Sequence, residues 1–139
     1  MKLVIVICGV ILSAASVGHA PPTPLAQRGG GKAEPNRIHF KRGTSSASVT
    51  GSVRSSEEAE YVVEARSGQT IYLEVDAVPK NSAVVSKVVQ EGGNEVPLKK
   101  GGPGRWSAKL SEDSDYMIAV TRVKPDRTIS RYTLKVRII

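Results

Sequence analysis

Tyr132-Thr133-Leu134-Lys135-Val136-Arg137-Ile138 brings the chain to its end in strict alternation, apolar at every even position and polar at every odd one. Successive side chains of a strand point to opposite faces, so a period of two marks a strand with one buried and one wet face. The pattern repeats upstream in Tyr116, Ile118 and Val120 and in Trp106, Ala108 and Leu110. Further back, Ile71, Leu73 and Val75 alternate with Tyr72, Glu74 and Asp76, and Tyr61, Val63 and Ala65 form another apolar face. Val49, Gly51 and Val53 alternate with Ser and Thr, and Ile38 and Phe40 with His39 and Lys41.

Clusters of Gly, Ser, Asn and Pro separate these runs, which is how an all-β sandwich or barrel is punctuated. The reading is a single antiparallel β-sandwich of about eight strands over residues 36–139, with Trp106 and the tyrosines filling its core. Ser67-Gly68 predicts a hairpin turn between the strands at 61–65 and 71–75. In the middle, Ala83 to Val89 and then Val96 with Leu98 read as two short strands joined by a turn at Gly92-Gly93-Asn94. A helix over 82–91 is the alternative, because Val84, Val85, Val88 and Val89 also fit one helical face; four β-branched residues favour strand.

The other end of the chain addresses location. Lys2, an apolar run from Leu3 to Leu12 and small residues leading to Ala20 have the order of a secretory signal peptide, here residues 1–20. Cleavage after Ser16 or Ala26 also fits, since Pro21 follows Ala20 directly. The apolar run is too short to span a bilayer and no second one follows, so no transmembrane anchor is expected. Cys8 lies mid-run behind Ile7, which is the wrong context for a lipid-anchored cysteine. Residues 21–35 are rich in Pro, Gly, Thr, Gln and Ala, with Gly29-Gly30-Gly31 at their centre, and read as a flexible segment. With the leader alone removed, roughly 115 residues remain, enough for one domain with one core.

Export removes the only cysteine and one of two histidines, leaving His39. Cysteine nucleophiles, Cys/His zinc sites and disulfide frameworks are thereby excluded, and no Gly-x-Ser-x-Gly elbow exists for a serine triad. The acidic groups Glu57-Glu58 with Glu60, and Glu112-Asp113 with Asp115, lack the spacing of a calcium loop and read as solvated turns. No cofactor is expected. The full chain has 20 Lys+Arg and 13 Asp+Glu, net +7, and loses Lys2 with the leader. An exported basic protein meets acidic glycans, anionic lipid or acidic protein faces. Aromatics make up 4% of the chain, too few to stack on nucleic acid, which is not an expected partner.

A family resemblance runs through the same residues. Phe40-Lys41-Arg42-Gly43-Thr44-Ser45-Ser46-Ala47, Gly51-Ser52-Val53, Tyr61, Ala65-Arg66-Ser67-Gly68-Gln69, Leu110, Asp115-Tyr116, Thr121-Arg122 and the final Tyr132-x-Leu-x-Val resemble the periplasmic inhibitors of goose-type lysozyme. The resemblance implies a periplasmic or secreted sandwich that plugs the acidic substrate cleft of a lysozyme or related peptidoglycan hydrolase with loop side chains. It implies Ser114, Tyr116, Arg122 and Arg127 as contact positions. Where the family has a Ser-Gly-x-Tyr turn, this chain has Asp113-Ser114-Asp115-Tyr116.

The chemistry is sound, because a glycosidase works with paired carboxylates and an arginine placed among them makes bidentate, charge-assisted hydrogen bonds. Lys124 and Arg131 join the candidate contacts because Thr121 to Arg131 concentrates four cations against one acid, and Ser45 and Ser46, in the resembling stretch Phe40 to Ala47, join them. Plainer roles stand beside these: Tyr116 in the core, Ser45 and Ser46 in a turn, Gly68-Gln69 as turn chemistry alone, and the basic stretch as a solvated hairpin. The competing function is a non-inhibitory envelope module that recognises glycan, an anionic surface or protein through that basic stretch. It would show aromatics exposed on one sheet face. Either protein could pair weakly with a second copy through an edge strand.

Overall fold

A computed structural model describes residues 35–139; the expected signal peptide and the flexible segment up to residue 34 lie outside the described residues. Among the described residues, nine strands form two sheets. They are β1 (Asn36–Arg37), β2 (Ser46–Arg54), β3 (Glu58–Ala65), β4 (Thr70–Val78), β5 (Ala83–Gln90), β6 (Lys99–Gly102), β7 (Arg105–Lys109), β8 (Ser114–Arg122) and β9 (Ile129–Ile138). The first sheet has the order β1-β3-β8-β5 and the second β2-β9-β4-β7-β6. All pairings are antiparallel except the short parallel contact of β1 with β3.

The period of two is realised as expected. Leu134, Val136 and Ile138 turn inward with Ile71 and Leu73 beside them, and Val63, Tyr116, Ile118 and Val120 face them from the other sheet, all buried. Tyr61 and Tyr132 meet edge-on across the core, ring centroids 6.5 Å apart, with their hydroxyls 2.7 Å apart. Burial, then the bond to Tyr61, pushes the Tyr132 phenol well up. Both hydroxyls press on Gly51, where an added Cβ would lie 2.6 Å from one and 2.7 Å from the other. The glycine in the β2 alternation is there for that close approach.

The chain changes sheet at almost every connection, and this corrects the expected hairpin at Ser67-Gly68. β3 pairs with β1 and β8, whereas β4 pairs with β7 and β9, so the turn carries the chain from one sheet to the other. Gly68 does adopt φ +84°, and its N–H donates to the Leu110 carbonyl at 2.8 Å. Turn chemistry records the need for a sharp reversal without recording which sheet the chain re-enters. The stretch before β9 is likewise a crossover between sheets, not a hairpin, because β8 and β9 belong to different sheets.

The ambiguous valine run is a bulged strand. Val85 pairs with Val120 and Lys87 with Ala119, so Ser86 is an extra residue. The bulge places Val85 and Val88 on the same buried face three residues apart, which is how a strand came to imitate a helical spacing. Gly92 and Gly93 make the expected turn, yet the strand expected at Val96 and Leu98 shrinks to a single bridge between Val89 and Glu95. The next strand is Lys99–Gly102, whose glycines conceal it in the sequence. Ile38 and Phe40 follow β1 outside any strand, with Ile38 buried and hydrogen-bonded to the Val62 carbonyl at 2.7 Å and His39 exposed. Trp106 packs on the core from a half-buried position, and Tyr72 stands outside it, 41% exposed.

Candidate functional site

The basic stretch is a short, internally braced loop. β8 leaves its sheet at Arg122 and β9 enters the other at Ile129. The Arg122 side chain is only 3% exposed and lies 2.7 Å from Asp126 Oδ1. Its Nη1 donates to Thr128 Oγ1 at 2.5 Å and to the Thr128 carbonyl. Asp126 Oδ1 accepts from the Thr128 N–H at 3.0 Å and hydroxyl at 2.5 Å. Those Thr128 bonds, with Arg122 and Lys124 adding to them, hold the Asp126 carboxyl below the usual carboxylate range. The loop is tied to its neighbour as well, since the Val123 N–H and the Ser130 hydroxyl both donate to the Ser82 carbonyl, at 3.0 and 3.3 Å.

The four expected cations therefore occupy three settings. Arg122 is turned inward and shapes the loop. Lys124 and Arg127 are exposed on it. Arg131 stands on the outer face of β9, in register with Ser52 and Val78.

The remaining expected contacts lie at the opposite end of the sandwich. Ser114 opens β8 and Arg122 closes it, about 27 Å apart at the rise of an extended strand. Ser114 Oγ donates to the Asp115 carbonyl at 3.1 Å, and Tyr116 is fully buried, its hydroxyl donating to the Glu112 carbonyl at 2.7 Å. Ser45, exposed, precedes β2 and accepts from the Ile138 N–H at 2.9 Å, while Ser46 starts β2 opposite Arg137. The turn before them is closed by Thr44, whose hydroxyl donates to the Lys41 carbonyl at 2.7 Å.

The acidic groups are engaged one by one with different partners. Glu57 accepts from the Arg54 N–H at 3.1 Å, Glu58 pairs with Lys87 at 3.0 Å, Asp113 accepts from the Ser67 N–H at 2.7 Å, and Asp115 pairs with Arg37. Glu112 accepts from the Gln90 side chain at 2.5 Å.

One feature of the surface escaped the sequence reading. The strands of the β2-β9-β4-β7-β6 sheet carry eight Lys and Arg against two acids, net +6; those of the other sheet carry three against four, net −1. The signal was present in Lys135 and Arg137 alternating with Leu134 and Val136.

No protein-family model and no curated protein matches the chain. Solved structures do. A periplasmic inhibitor of g-type lysozyme from Aeromonas hydrophila, PliG, superposes with a TM-score of 0.61 at 22% identity, over 76% of this chain and 96% of that one. A mutant of the Escherichia coli PliG gives 0.57 at 20%, over 76% and 97%. The Salmonella Typhimurium PliG gives 0.56 at 19%, over 76% and 98%. At these identities the likeness is one of fold, and this chain has the β-sandwich fold of the PliG inhibitors across nearly their whole length.

Proposed function

We propose that this chain is an exported, non-catalytic inhibitor of lysozyme, with goose-type lysozyme as its first target and the periplasm or the extracellular space as its place of action. The observation that carries the reading is the shared sandwich, which spans 96% of the Aeromonas hydrophila inhibitor at a TM-score of 0.61. The braced loop supports it. Lys124 and Arg127 project from a loop that Arg122, Asp126 and Thr128 hold in one shape, so little order has to be imposed when it enters a cleft. Inside a glycosidase cleft their charges meet the carboxylates that hydrolyse the glycan. Ser114, Ser45 and Ser46, at the other end, form a second contact group that a partner reaches only by covering one side of the sandwich. Edge strand β2 is where a second copy would pair.

The test is residual muramidase activity on a peptidoglycan suspension as goose-, chicken- and invertebrate-type lysozymes are each titrated with the mature protein. Stoichiometric inhibition of the goose type is expected. Lys124→Ala with Arg127→Ala should weaken it by tenfold or more, because truncating a buried interfacial charge costs about 2–5 kcal/mol. Inhibition of no lysozyme at all would overturn the reading; inhibition undiminished in the double variant would move the contact to the Ser114 end.

A further inference from the structure

The outer face of the β2-β9-β4-β7-β6 sheet carries charge out of proportion to its neighbours. Among the described residues, its strands hold net +6, the other sheet's strands hold net −1, and the connecting segments balance six cations against six acids. The whole positive excess of the described residues therefore lies on this sheet.

A trough of about 580 Å³ crosses the outside of the sheet over β2, β9, β4 and β7. Its two sides are rows in register. One runs from Ser46 through Arg137 and Tyr72 to Ser107, and the other from Ser48 through Lys135 and Glu74 to Arg105. Glu74 lies between Lys135 at 3.3 Å and Arg105 at 3.5 Å, which orients both cations along the trough. Arg137 lies 4.9 Å from the centre of the Tyr72 ring. The β2 side continues as a lane of outward hydroxyls, Ser46, Ser48, Thr50 and Ser52.

We propose that this trough docks a linear acidic polysaccharide. Three cations against one carboxylate supply the attraction for its acid groups, and the serine lane, Glu74 and the exposed edge of Tyr72 suit the hydroxyls and faces of sugar rings. An anionic lipid surface fits less well: apart from Tyr72, Val78 is the large apolar side chain this face exposes most, at 71%, and it lies beyond the trough. Crossing four strands at about 4.8 Å spacing makes the trough about 15 Å long, room for a short run of sugars. The trough does not include Lys124 or Arg127 and meets the contacts proposed for lysozyme only at Ser46, so its cations Arg105, Lys135 and Arg137 separate the two activities.

Polygalacturonate, neutral dextran and phosphatidylglycerol vesicles serve as probes for the mature protein at low and high salt. Binding to polygalacturonate that is lost at high salt is expected, with no binding to dextran. Arg105→Ala, Lys135→Ala and Arg137→Ala together should weaken it by at least about tenfold, as when a polyanion regains its counterions, while Lys124→Ala with Arg127→Ala leaves it unchanged. Should the triple variant fail to fold, Lys135→Gln with Arg137→Gln keeps Arg105 on Glu74 and should show the same direction of loss. No binding to polygalacturonate, equal binding to dextran, retention by the folded variant, or stronger binding to the vesicles through the same residues would each overturn the proposal. Lysozyme inhibition measured on the same variants reads the loop cations Lys124 and Arg127, which the trough lacks, so failure of one does not imply failure of the other.

Discussion

The two sheets are built from the same alternation and differ on their outer faces. Inside, Ile118 and Val120 of β8 and Leu134 and Val136 of β9 are buried alike. Outside, the β8 sheet closes its charges into pairs, Arg37 with Asp115 and Lys87 with Glu58, around half-buried Val62, Val89 and Met117. The β9 sheet leaves Glu74 to serve two cations and spreads six more over its strands. The apolar phase of a strand fixes how the sheet is buried, whereas the polar phase is free to carry another task. On one sheet that phase is neutralised locally. On the other it builds a field.

The largest effects are expected in the interior that the two sheets share. Leu134→Ala at the centre of one sheet and Ile118→Ala at the centre of the other should each cost about 2–5 kcal/mol, since both leave a cavity in one core. Denaturant unfolding followed by Tyr and Trp fluorescence and by circular dichroism should stay a single coincident transition in both variants. Two separated transitions, or a loss confined to one variant, would mean that the sheets stand independently.

A smaller effect sharpens the contrast outside. The Arg37 hydrogen bond, more than its charge alone, holds the Asp115 carboxyl below the usual carboxylate range. A depressed folded-state value means the pair contributes above the ordinary carboxylate range and loses that contribution as pH falls through the depressed one. Asp115→Asn should therefore be less stable than the parent at neutral pH and converge with it in strong acid. Both side chains are partly exposed, so the gap stays well below that of the core variants. A gap that persists in acid would assign the loss to packing, not to charge.

The interior was legible because burial writes itself as a period, and Leu134, Val136, Ile71 and Leu73 sit where that period put them. What failed was whatever depends on a partner elsewhere in the chain. Gly68 announces a reversal, but only the pairing of β3 with β8 decides that the reversal crosses between sheets. The bulge at Ser86 disturbed the period itself. At the candidate site, Lys124 and Arg127 were legible as loop cations, and Arg122 was not legible as their brace: a buried guanidinium is set by Thr128 and Asp126 folding back on it. The resemblance implies Ser114 before one strand and Arg122 after it, and the extended strand separates them by its own length.

The smallest effect tests the field of the β9 sheet directly. Lys99 of β6 faces Ser107 of β7, which puts it diagonal to Lys109, and cross-strand like charges repel at that spacing. Salt at about 0.5 M shortens the reach of such repulsion to a few ångströms, so the parent should gain slightly in stability when salt is raised. Lys99→Gln with Lys109→Gln removes one repelling pair and should itself stabilise by less than about 0.5 kcal/mol, with a flatter salt response in thermal melts. A parent that instead loses stability with salt would reverse the argument. The attractions of Glu74 to Lys135 and Arg105 would then outweigh the repulsion among the other cations, and the face would be held together by Glu74 and not merely tolerated by the core beneath it.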